Sequence, residues 1–267
     1  MIAISSAGCT SSAAEYTQHL YREGLFKDFE FMVEDHIVLK DLMNIVSLNM
    51  QPELVKSCAG YSLCSNAEND RQNYLANVAN VASKAVHYKC KNVIVWPGYV
   101  PVVNGFEKHN RALNNGEEFE CPKRTMYLQN LCRSLYTLCK KFPDINFCIP
   151  TGRTFYEIPT SVEEVQWILE DVNAPNLKYW HNTAHSHLLE KMKHEAQDNW
   201  LQSLGDRTWG VHLEDVVGVE ALCPPGTGEV KFHHIKSHLP KNALKVLRIS
   251  EQFGAFGIQT ALDMIRF

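Results

Sequence analysis

Residues 92–98 read Asn-Val-Ile-Val-Trp-Pro-Gly, a β-branched apolar run closed by Pro97 and Gly98, which is the pattern of a buried strand. Helical patterns flank it on both sides. Before it, Leu75, Val78, Ala79, Ala82 and Val86 fall at helical spacing behind Asn69 or Asp70 as a cap. After it, residues 125–140 carry Leu128, Leu131, Leu135 and Leu138 on one face. Working outward, the alternation persists. Strands are predicted at residues 2–5, 29–33, 55–59, 92–96, 145–149, 177–180, 209–213 and 256–258. Helical stretches are predicted at 12–23, 38–48 and 187–204. Another helix is opened by Thr160-Ser161-Val162-Glu163, a capping-box sequence, and one begins at Pro240 and ends before Gly254. Eight strands alternating with helices imply a closed (β/α)8 barrel, with an open doubly wound sheet as the alternative.

The chain has 267 residues, close to the ~250 that one such barrel takes, so residues 1–267 are expected to form a single TIM-barrel domain. Twenty-six basic residues against thirty acidic give a formal charge of -4. That balance argues against a phosphate-backbone partner, since nucleic-acid affinity comes from neutralising phosphates. No apolar run approaches the roughly 20 residues that span a bilayer, and the N-terminus lacks the basic start and apolar core of a secretion signal. Nine cysteines, with no Cys-x-x-Cys pair, read as free thiols in a reducing compartment, and a cytoplasmic location is expected. Gly226-Thr227-Gly228 behind Pro224-Pro225 reads as a rigid turn rather than a nucleotide loop. His194-Glu195 lacks the second histidine of a helical zinc site, and His233, His234 and His238 read as solvated surface groups.

Three motifs carry a resemblance. Trp180-His181-Asn182-Thr183-Ala184-His185 follows a strand, Val211-His212-Leu213-Glu214-Asp215 ends another, and Pro224-Pro225-Gly226-Thr227-Gly228-Glu229 follows. In this order they resemble the xylose-isomerase-like sugar phosphate isomerase/epimerase superfamily. That family shows Asp-Thr-Gly-His, then His-x-x-Asp, then Pro-Gly-x-Gly-Glu. The resemblance implies a barrel whose strands five to eight end in Glu, Asp, His and Glu around a divalent metal (manganese, magnesium, cobalt or zinc), with a sugar-like substrate chelated on it. Placed on this chain, those positions fall at Ile149, Asn182, His212 and Gln259. Only His212 remains a ligand type, so the metal site is expected to be weakened or lost, unless His185, His212 and Asp215 form a rearranged one.

Reacting groups in barrels gather at the C-terminal strand ends. His212, His185 and Asp215 are the candidate catalytic residues, with His212 also the candidate metal ligand. Glu30, Trp96, Arg153, Asn182 and Gln259 are the candidate substrate-binding residues. His181, His187 and Trp180 are further candidates for the mouth. Two functions follow: a sugar isomerase or epimerase (or related lyase) working by a metal-weakened mechanism, or a non-catalytic small-molecule-binding barrel. A DNA-repair nuclease fits worst, since Ala221, Leu222 and Cys223 stand where its extra zinc ligands belong. The expected partner is a small, sugar-like molecule, with no nucleic acid and no membrane, and a homo-oligomer is left open.

Overall fold

A computed structural model describes residues 2–9, 12–35, 37, 41–50, 62–100 and 123–266. Eight parallel strands close into a barrel: β1 (Ile2–Ser5), β2 (Asp28–Met32), β3 (Asn44–Asn49), β4 (Asn92–Ile94), β5 (Asn146–Pro150), β6 (Leu177–Asn182), β7 (Thr208–Leu213) and, last in the chain, β10 (Leu244–Leu247). Between β7 and β10 an antiparallel hairpin, β8 (Asp215–Val217) and β9 (Glu220–Cys223), rises beyond the barrel. The helices described are α1 (Ala13–Arg22), α2 (Glu68–His87), α3 (Arg124–Lys141), α4 (Val162–Val172), α5 (Thr183–Lys191), α6 (Gln197–Leu204), α7 (Phe232–His238) and α8 (Gly254–Ile265). Among the described residues no helix is long and apolar enough to cross a membrane.

The (β/α)8 expectation holds, but several elements are not where periodicity put them. The helix predicted over 38–48 ends in β3, because Ile45 and Leu48 pack outward while Val46 fills the interior. The strand predicted at 55–59 lies outside the described residues. No helix starts at Pro240. The chain turns there, and Leu244–Leu247 forms the closing strand, pairing Ile2 with Lys245 on one side and Leu244 with Gly210 on the other. The strand predicted at 256–258 is part of α8 instead. The single helix predicted over 187–204 breaks after Lys191, and Lys193 takes φ 56° in the gap. The cap of α2 is Ala67 rather than Asn69 or Asp70.

The capping box at α4 is real but shifted by one residue. Ser161 Oγ accepts the Glu164 amide at 3.2 Å, and the Glu164 carboxylate accepts the Thr160 amide at 2.8 Å. Arg124 of α3 clamps that carboxylate, and its Nη2 also donates to Thr160 Oγ1 at 2.6 Å. This joins two neighbouring outer helices at the C-terminal side of β5.

Side chains alternate along each strand. Ala3, Val46, Ile94, Cys148, Trp180 and Val246 fill the barrel interior. A larger apolar layer lies between the barrel and its helices. The interior is closed by the Trp180 indole, which is wholly buried and lies against Gly210 of the adjacent strand. A Cβ at Gly210 would collide with that ring. Gly210→Ala is therefore expected to destabilise the barrel by about 1–3 kcal/mol through overpacking. A lowered thermal midpoint with unchanged far-UV circular dichroism checks this, and an unchanged midpoint refutes the packing argument.

Candidate functional site

Near the C-terminal end of the barrel a carboxylate sits with no exposure at all. Glu30 ends up among four donors from three other strands. Ser5 Oγ of β1 donates to it at 2.7 Å, Ser47 Oγ and Asn49 Nδ2 of β3 at 2.8 and 3.1 Å, and His212 Nε2 of β7 at 2.9 Å. Burial alone pushes a carboxyl's pKa up. Here the His212 and Arg248 charges and the hydrogen bonds from His212 and Ser5 outweigh it, and Glu30 is held at about 2. Since Nε2 donates to Glu30, His212 is left with Nδ1, which is buried and without a partner among the described residues.

One level further out, Glu214 follows β7 and is 1% exposed. Asn182 Nδ2 donates to its Oε1 at 2.5 Å, Arg248 Nη1 at 3.2 Å, and the Leu222 amide to its Oε2 at 3.2 Å. Burial raises this carboxyl, but Arg248, His185 and His212 lower it further, and the net shift is downward. Asn182 is fully engaged, because its Oδ1 accepts the His185 amide at 2.9 Å and caps α5. His185 Nδ1 donates to the Thr151 carbonyl at 2.8 Å. That bond fixes the tautomer and leaves Nε2 as the free nitrogen. Burial pulls the His185 pKa down to about 3, so the ring is neutral at physiological pH.

Asp215 has a different task. Its carboxylate accepts the amides of Val216, Gly226, Gly228 and Val230, all between 2.8 and 3.0 Å. It thereby shapes the Pro224-Pro225-Gly226-Thr227-Gly228 turn, and a Cβ at Gly228 would strike this carboxylate and the Val216 carbonyl. Outside these layers a cavity of about 440 Å³ opens, lined by Trp96, Arg153, Glu157, His185, Glu214 and Arg248 together with the β8–β9 hairpin. Its size lies in the ~300–1,000 Å³ range of small-molecule sites.

This is the strand-end site of a TIM barrel, and the xylose isomerase-like TIM-barrel model matches residues 16–266. The chain belongs to that family. Among curated protein sequences none matches. Solved structures with the same fold include a D-psicose 3-epimerase with D-tagatose from Clostridium cellulolyticum H10, at TM-score 0.71 and 13% identity over 99% of this chain and 96% of that one. They also include a xylose isomerase domain protein from Planctomyces limnophilus, at 0.69 and 13% over 98% and 95%. A probable 3-DHS dehydratase from Bacillus anthracis follows at 0.66 and 12% over 100% and 99%. At such identities the likeness is one of fold.

Within this xylose isomerase-like barrel the sequence candidates separate. Trp96, Arg153 and His185 line the cavity as expected. Glu30, Asn182 and His212 lie beneath it, each wholly buried, with Glu30 and Asn182 spent on internal hydrogen bonds. Asp215 has its carboxylate oxygens engaged by four backbone amides. Gln259 is on the exposed face of α8, bonded to Asp263 at 2.8 Å, since residues 256–258 do not form the eighth strand. Trp180 is interior packing. His181 points toward the helices, accepting from or donating to Tyr179 Oη at 2.8 Å, and burial takes its pKa down to about 3. His187 faces Glu229 at 3.6 Å. Three charged cavity residues, Glu157, Glu220 and Arg248, were missed. Arg248 was hidden inside the helix predicted from Pro240, although the Leu244-Lys245-Val246-Leu247 run offered a strand. Glu157 had no local signal, and it is placed by accepting the Arg153 amide at 2.6 Å.

The buried Glu30 charge contributes stability above its ordinary range, and that contribution is lost as pH falls through about 2. Glu30→Gln keeps the volume but removes the charge four donors converge on. The variant is expected to lose about 1.5–3 kcal/mol at neutral pH, the usual worth of hydrogen bonds to a charged group, with the gap to the parent narrowing in acid. Urea titrations across that range measure it, and a pH-independent gap counts against the charge argument.

Proposed function

We propose that this barrel binds a small polyhydroxylated molecule in the cavity at its C-terminal mouth, and that the guanidinium of Arg248 has replaced the divalent cation usual in the family. One observation carries this reading. The eighth barrel strand is Leu244–Leu247, so the residue leaving it toward the mouth is Arg248, where the family resemblance calls for a metal-binding glutamate. The other ligand positions support it. Ile149 pairs with Tyr179, whose ring stacks on Trp200 of α6, so it faces the helices. Asn182 has both polar atoms committed. His212 alone keeps a nitrogen unspent, still oriented by Glu30 as metal-bound histidines are by a carboxylate. The described residues hold no group of three His, Cys, Asp or Glu side chains suited to a metal. One imidazole nitrogen beside a fixed guanidinium is a poor cation site, since hard cations need several anionic oxygens. The residues present do not fit the metal.

The cavity supports ligand binding in its own right, with Trp96 as an apolar wall and charged groups from β5, β7 and β10 converging on it. A second reading, turnover by proton transfer of the isomerase, epimerase or lyase kind, is favoured by His185, whose fixed tautomer leaves Nε2 free at the cavity. With burial holding its pKa at about 3, it is a weak base at neutral pH.

The decisive experiment is elemental analysis of protein purified without chelator, beside the double variant Asn182→Asp/Arg248→Glu. The parent is expected to carry no stoichiometric metal, and the variant to gain manganese. Metal at one per chain in the parent sinks the replacement. Deuterium exchange at the carbon beside the carbonyl of D-fructose, followed by NMR in heavy water, separates the two readings: exchange lost in His185→Gln favours turnover, and no exchange favours binding alone.

A further inference from the structure

The guanidinium of Arg248 is almost unspent. Its side chain is 6% exposed. Nη1 donates to Glu214 Oε1 at 3.2 Å, Nε is buried with no acceptor, and no acceptor among the described residues meets Nη2. An arginine has five N–H donors in a rigid fork, and leaving a buried charged donor unmet costs more than a neutral one. Nine-tenths buried, at the wall of a cavity, with one bond made, this side chain is short of an acceptor among the described residues.

We infer that the cavity takes a small polyhydroxylated carboxylate, a sugar acid, whose carboxylate docks on Arg248. The inference rests on the reading of the cavity as a polyol site and names the group that the replaced cation's position now recognises. A planar carboxylate matches the guanidinium fork, with two oxygens for two donors. The charge around it selects a monoanion. Glu157, Glu214 and Glu220 face the same cavity as Arg153 and Arg248, three carboxylates against two guanidiniums. Arg153 is already tied to Glu157, through its amide at 2.6 Å and its Nε at 3.4 Å. A phosphate dianion would meet about twice the repulsion there that a monoanion meets, and a carboxylate needs only the N–H donors of Arg248 left unmet among the described residues. The rest of such a ligand would lie toward Trp96 and His185, an apolar wall and a neutral imidazole with a free Nε2, the partners that suit C–H faces and hydroxyl groups.

Calorimetric titration at neutral pH tests this with D-gluconate and D-glucuronate against neutral D-fructose and D-fructose 6-phosphate. A sugar acid is expected to bind at least about tenfold more tightly than either comparison ligand, and Arg248→Gln to weaken it on the order of 10- to 100-fold, a larger loss than the same variant causes for D-fructose. Because that variant strands Glu214 and can fail to fold, Glu214→Gln is measured beside it. Removing the competing carboxylate frees Nη1, and sugar-acid affinity should rise. Equal binding of acid and neutral sugar, or a Glu214→Gln variant that does not tighten the acid, overturns the carboxylate and leaves the polyol site standing. Preference for the phosphate ester overturns it in favour of a phosphoryl group. No binding of any of the four brings down both.

Discussion

The Glu30 carboxylate is the constraint on which the mouth of this barrel depends. A closed sheet must fill its interior, and directly below this level it does so with apolar side chains and one indole. At the level of Glu30 the interior becomes polar, and a buried charge there is tolerable only if donors surround it. Donors from β1, β3 and β7 do so, which ties four strands of the closed sheet to one atom pair. The same bond orients His212, and the field of His212 reaches Glu214 in the next layer. Each polar layer is thus held by the one beneath it.

The second layer shows how its charges are distributed. Glu214 is satisfied by Asn182, Arg248 and a backbone amide, so its negative charge is neutralised inside the protein. Asp215, its neighbour in sequence, spends its charge on four backbone amides and sets the path of the turn after β9. Two adjacent acidic residues therefore do unlike work. One balances a guanidinium at the cavity wall and the other builds the loop that borders it. Neither is left with the unspent oxygens that a hard cation requires.

Function in such a barrel lives in the strand-end residues rather than in the fold. The cavity has the size and the mixed charged and apolar lining of a small-molecule site. A fixed guanidinium differs from a divalent cation in what it can do. It recognises paired oxygens by directed hydrogen bonds, and it carries one charge where a metal would carry two. The site proposed on Arg248 would select by geometry and net charge.

The (β/α)8 class was legible in the sequence because the strand at 92–94 and the helices beside it carry strong, local periodicities, and local periodicity is what burial on one face produces. The order of the Asn182, His212 and Gly226 motifs was legible too. The closing strand was not. Leu244–Leu247 is four residues long and mixes lysine with apolar groups, so only its pairing with β1 and β7 makes it a strand, and Arg248 became visible only with it. Nor could the sequence separate Glu214 from Asp215, or show that Glu30 and His212 lie 182 positions apart yet share a hydrogen bond. Residue types and their spacing determine the strongly periodic elements. Which charge meets which donor is decided by closure of the barrel, because the energies of buried ionic groups depend on neighbours brought together from distant strands.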